Sequence, residues 1–115
     1  LESHPLSAQL LEACQDSCVT HVNRHVRAAG LQVLEQWVLV GTKEMLLDPS
    51  NGLRQTVVAC LKATLADNWS QVRMAGSVLC RTFWTRLCQY PPEDRNSDKL
   101  YPILIPRMCL NRFYL

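Results

Sequence analysis

The sharpest chemical spacing in the chain is Cys14-x3-Cys18-x2-His21-x3-His25. Two thiols and two imidazoles form a ligand set that zinc accepts. On one continuous helix these four positions lie in a line spanning about 16 Å, at about 1.5 Å per residue. All four ligands must sit about 2.0–2.3 Å from the ion, so a zinc site here needs a tight break between Cys18 and His21. The plainer reading is two core cysteines followed by two surface histidines, with no metal bound.

Nucleophilic chemistry has little to build on. A hydrolase needs a nucleophile, a base and an orienting group. The only histidines are His4, His21 and His25. There is no Gly-x-Ser-x-Gly elbow, phosphate-binding glycine loop or dinucleotide fingerprint. Glu93 and Asp94 adjoin Arg95 in a polar stretch and read as a solvated loop. The expectation is a chain with no catalytic residues and no cofactor.

Six cysteines stand at 14, 18, 60, 80, 88 and 109. The even count invites a disulfide framework, but the glycine- and proline-rich loops of stapled secreted domains are missing. Most of the six fall on apolar sides of helical patterns, where cysteine acts as a small hydrophobe. They read as reduced thiols in an intracellular protein, cytoplasmic or nuclear. The chain begins at Leu1 without a signal-peptide pattern, and no apolar run approaches the roughly 20 residues of a membrane span. We read it as soluble and as a piece of a longer protein.

These residues must be positioned by helices. The chain has 115 residues, 48% hydrophobic and 19% charged, which suits one folded domain. The first helix runs from Ser7, a candidate N-cap, to Cys18, with Leu10, Leu11, Cys14 and Cys18 inward. A second covers 24–40, a third 53–66, a fourth 69–88, and a last segment 98–114 is kinked at Pro106. Residues 42–52 are a connector with Asp-Pro and Asn-Gly turn signals. Residues 90–97 form a polar loop.

Two of these helices repeat each other. Residues 24–40 laid over 70–86 place Val26 on Val72, Arg27 on Arg73, Ala29 on Ala75 and Gly30 on Gly76. The offset is 73 − 27 = 46 residues, within the range of paired-helix repeats. By this alignment the inward face of the second helix is Val26, Gly30, Val33 and Trp37, flanked by Ala29 and Val40. That of the fourth is Val72, Gly76, Leu79, Phe83 and Leu87. Arg27 and Arg73 sit at the edge of these faces, with Glu35 and Arg81 on the solvent side. The Ala-Gly pairs let another helix approach closely.

The paired helices, the 46-residue period and the string Asp-Asn-Trp-Ser-Gln-Val-Arg-Met-Ala-Gly-Ser-Val-Leu at 67–79 resemble the HEAT/armadillo repeat superfamily. In that family a second helix opens with an acid, then Val-Arg, Ala and aliphatics, matching Asp67, Val72, Arg73, Ala75 and Leu79. The first unit departs from the pattern, with His21 where Asp67 stands. The resemblance implies an all-α solenoid of antiparallel helix pairs. Its first repeat covers about 6–41, its second about 53–89, and 98–115 begin a third. It also implies a protein-binding scaffold without catalysis, whose concave surface takes up a partner.

Charge offers a second reading. Residues 1–67 carry five basic and seven acidic groups, residues 68–115 seven basic and three acidic. Arg73, Arg81 and Arg86 interleave with Trp69, Phe83 and Trp84, as on some nucleic-acid surfaces. The net charge of +2 does not announce such a partner. Arg81, Trp84, Arg107, Arg112, Phe113 and Tyr114 are the candidate interaction surface. The apolar C-terminal residues also suggest self-association through that end.

Overall fold

The computed structural model describes residues 8–95 and Leu100. The expected last segment is therefore outside the described residues apart from Leu100. So are Arg107, Arg112, Phe113, Tyr114, Cys109, His4 and the Ser7 cap.

Five α-helices and a short 3-10 turn follow one another: α1 (Ala8–Val19), α2 (Arg24–Val40), α3 (Lys43–Leu47), α4 (Gly52–Thr64), α5 (Ser70–Leu87) and the turn Pro92–Asp94. No strand occurs among the described residues. Local chemistry explains the starts. Asn23 caps α2 by accepting from the His25 N–H at 2.8 Å, and Asn51 caps α4 through the Leu53 N–H at 2.9 Å. Before α5 the Asp67 carboxylate accepts from the Trp69 N–H at 2.9 Å, which turns the chain into the helix.

Helix α3 corrects the plain connector expected over 42–52. Thr42 caps it by accepting from the Met45 N–H at 3.3 Å. Met45, Leu46 and Leu47 are buried, so this single turn closes one end of the core. The Thr-Lys-Glu-Met-Leu-Leu string carries the signal, a cap and an acid before an apolar run.

Helix α1 packs on α2 and α4, α2 packs on α5, and α4 packs on α5. The core between them includes Leu11, Leu31, Leu34, Val38, Val57, Leu61, Leu79, Phe83 and Leu87, joined by Leu100. The inward face expected for α5 is the buried one. That expected for α2 is not. The buried residues of α2 are Arg27, Leu31, Leu34 and Val38, whereas Val33 and Val40 are 47% and 51% exposed. The helix is rotated because α5 lies beside it as well as α1, and only one arc can face both. Glu35 is likewise turned inward of the solvent side, where it accepts from the Thr82 hydroxyl at 2.7 Å.

Both mid-helix glycines mark close approaches. A Cβ on Gly30 would lie 3.0 Å from Cys18 Sγ, and one on Gly76 would lie 2.9 Å from Thr64 Oγ1. The two neighbours are also 46 residues apart, so the sequence period reappears as a packing period.

Candidate functional site

Arg27 of α2 and Arg73 of α5, 46 residues apart, make the same kind of polar contact. Arg27 Nη1 donates to the His21 carbonyl at 2.7 Å. Arg73 Nη1 donates to the Asp67 carbonyl, also at 2.7 Å. Each guanidinium thereby ties its helix to the turn before it. Arg27 then reaches across: Nε lies 3.0 Å from Asp67 Oδ2, and Nη2 lies 3.2 Å from Oδ1. This bidentate geometry is the strong form of a charged hydrogen bond. The side chains are only 11% and 13% exposed. His21 contributes its carbonyl to Arg27, and the carboxylate that Arg27 meets comes from Asp67, just before α5. Neither arginine lies at an open edge; both are buried.

Other polar contacts run along the same seam. Arg24 stacks on Trp69 with 3.9 Å between guanidinium carbon and ring centroid, a cation–π contact. Arg86 donates to the Val38 and Gly41 carbonyls at 3.3 and 2.6 Å, capping the C-terminus of α2. On the opposite side Arg54 donates to the carbonyls of Leu46, Leu47 and Arg95 at 2.9–3.1 Å.

Between α2 and α5 the surface opens into a groove of about 500 Å³. Ala28, Leu31, Ala75 and Val78 line it, Met74 stands beside it, and Gln32, Gln36 and Gln71 supply amides. Met74 is 58% exposed. Among the described residues Glu35 is the only charged one in the lining. An apolar floor under amides that both donate and accept suits a polypeptide backbone with apolar side chains. A smaller hollow near Lys43, Glu44, Asp48 and Asp94 is polar and open, with Lys43 and Asp94 3.6 Å apart.

The Cys14, Cys18, His21 and His25 set is not assembled. Cys14 and Cys18 are buried in the core, while His21 and His25 are exposed. Among the described residues no group of three or more His, Cys, Asp or Glu is placed to hold a metal ion. The break after α1 does occur, at residues 20–23, but it turns the imidazoles outward.

The buried Cys14 thiol instead donates to the Gly30 carbonyl, with 3.8 Å between Sγ and O. Bonding to Cys18, burial and the charge of Cys18 all push the Cys14 thiol well up. The bond with Cys14 pulls Cys18 down, but the bond to Cys60, together with burial, pushes it up to about 12. Burial also raises Cys80, against a smaller lowering by Trp84. The thiolate is the reactive form, so these groups should be inert in the native protein. Cys88 is exposed, and none of the five described cysteines is in a disulfide. Under native conditions a maleimide should label Cys88 rapidly. Cys14, Cys18, Cys60 and Cys80 should lag by orders of magnitude until denaturant is added. Rapid native labelling of Cys14 or Cys18, read by peptide mass, would contradict this packing.

The interleaved arginines and aromatics do not form one outward face. Arg73 and Phe83 are buried, Arg86 is engaged at the end of α2, and Trp84 is half-buried against the core. Trp84 lies 6.2 Å from Phe83 between ring centroids. Arg81 alone of the three arginines is exposed. The residues that line the α2/α5 groove cannot be read from sequence, because they come from two helices whose relative rotation no single-helix pattern contains. No family model, curated protein or solved structure matches the chain. No helix among the described residues is long and apolar enough to cross a membrane.

Proposed function

We propose that this chain is a non-catalytic protein-interaction module built as a stack of HEAT/armadillo-type helix pairs. Its partner-binding element is the α2/α5 groove. The observation that carries the reading is the repetition of one set of contacts at the 46-residue offset. Gly30 abuts Cys18 as Gly76 abuts Thr64, and Arg27 holds the His21 carbonyl as Arg73 holds that of Asp67. In such a stack α1 and α4 form one layer and α2 and α5 the other, in keeping with which helices touch. Stacked pairs expose a long groove and enclose no reaction chamber. The groove's near-neutral lining supports a polypeptide partner over a phosphate backbone, which needs several free cations.

A photo-crosslinking amino acid at Met74, expressed in cells, tests this directly. The expected result is discrete protein adducts from position 74 that are absent when the same probe replaces Lys62, which is exposed on α4. Adducts to RNA or DNA would favour the nucleic-acid reading, and equal adducts from both positions would defeat the groove assignment.

A further inference from the structure

We propose that the outer flank of α2 is a self-association face, on which a second copy of this chain packs its own α2 antiparallel about a two-fold axis at Val33. The flank consists of Val26, Ala29, Val33, Trp37 and Val40. Ala29, Val33 and Val40 are exposed, and Val26 and Trp37 are half-buried at its edge toward α1. Its neighbours around the helix are His25, Gln32 and Gln36, so no Asp, Glu, Lys or Arg interrupts it. A continuous apolar strip along a charged protein's helix marks a contact surface.

The strip continues an interface already present. On α5 the equivalent positions are those that meet α2. Gln71 and Ala75 line the shared groove, and Thr82 and Arg86 bond to Glu35 and Val38 of α2. One unit earlier these positions are His25, Ala29, Gln36 and Val40 on α2. They have the register of a helix-packing flank without the ionic groups. The α1, α4 and α5 helices all pack on α2, and Ala29, Val33 and Val40 stay exposed beside them.

Three observations select a second copy in a two-fold arrangement. The five positions step by three, four, four and three residues, a spacing that reads the same from either end. About a two-fold at Val33, Val26 faces the second copy's Val40, Ala29 faces its Trp37, and Val33 faces itself. Small meets large and aliphatic meets aliphatic, as an isologous contact requires. A head-to-tail copy continuing the stack would set Arg73 beside His21 where Arg27 has Asp67. It would also put Val40 where Arg86 caps a helix, losing both polar ties. A charged partner finds no opposite charge on the strip.

One helix pair gives a contact at the small end of specific interfaces, below roughly 1,200 Å² in total, so association should depend on concentration. Light scattering from low micromolar to millimolar protein should show the mass rising from 13.1 kDa toward twice that value. Val33→Glu sets two carboxylates against each other on the axis. It should remain monomeric with the parent's melting temperature, since Val33 lies outside the core. In a Cys88→Ser, Cys109→Ser background, Val33→Cys should form a disulfide-linked dimer with itself under mild oxidant. Val26→Cys and Val40→Cys should cross-link when mixed and not when either is alone. A parent that stays monomeric throughout overturns the proposal. So does a dimer that survives Val33→Glu, or Val33→Cys that fails to cross-link. Met74 is not part of the strip, so the groove experiment can fail or succeed independently.

Discussion

Asp67→Ala is expected to be among the most destabilising single changes in this chain, lowering the unfolding free energy by about 3 kcal/mol. The carboxylate accepts two bonds from Arg27 and one from the Trp69 N–H. Its removal leaves the Arg27 guanidinium, in a residue 9% exposed, with only the carbonyls of His21 and Val22. Breaking a buried pair costs about 3–5 kcal/mol because one charge is left uncompensated. The slight exposure of both partners places this pair at the lower end. Arg27→Met combined with Asp67→Ala should lose less than Asp67→Ala alone, since no buried cation remains. Urea unfolding of the two single variants and the double variant forms a cycle that isolates the pair. A coupling energy indistinguishable from zero would mean that the Arg27–Asp67 pair adds nothing to the joint between α2 and α5.

Gly76→Leu should destabilise by about 1–3 kcal/mol through overpacking, which lowers the melting temperature by roughly 4–8 °C for each kcal/mol. Even a methyl would meet Thr64 Oγ1 at 2.9 Å, and that hydroxyl is held by a 2.7 Å bond to the Cys60 carbonyl. Gly76→Ala therefore sets a clash against the roughly 1 kcal/mol of helix propensity that alanine adds. The two effects should nearly cancel. In a Thr64→Ala background the clash disappears and Gly76→Ala should stabilise. Gly30→Leu should behave like Gly76→Leu, because the Cys18 thiol and backbone N lie 3.0 and 3.4 Å from the added Cβ. Thermal melts in which both leucine variants match the parent would remove the close helix approach from the description.

Several features were legible in the amino-acid order. The 46-residue period, four helix spans and the two packing glycines all follow from local spacing, because an amphipathic helix writes its buried side every three or four residues. The inward face of α5 was legible for the same reason. The reading failed for α2, although the two helices align residue for residue. The hydrophobic pattern marks which arcs are apolar, but not which of two apolar arcs has a neighbour. Leu31, Leu34 and Val38 compete with Val26, Val33 and Val40 on one helix, and the position of α5 decides between them. The short helix α3 was hidden because five residues are too few to display a period.

The chain's sequence by itself determined an all-helical protein and the two glycines, Gly30 and Gly76, at which its helices approach closely, since glycine and periodicity act within a few residues. Only the tertiary structure decided how α2 is joined to α5. Arg27 and Asp67 are 40 residues apart, and the aspartate that turns the chain into α5 also anchors α2. The same holds for the α2/α5 groove and the uncovered flank of α2. The groove's lining and the exposure of that flank are set by the rotation of one helix against another, which depends on contacts distant in the chain; local spacing shows the apolar arcs but not which of them is covered.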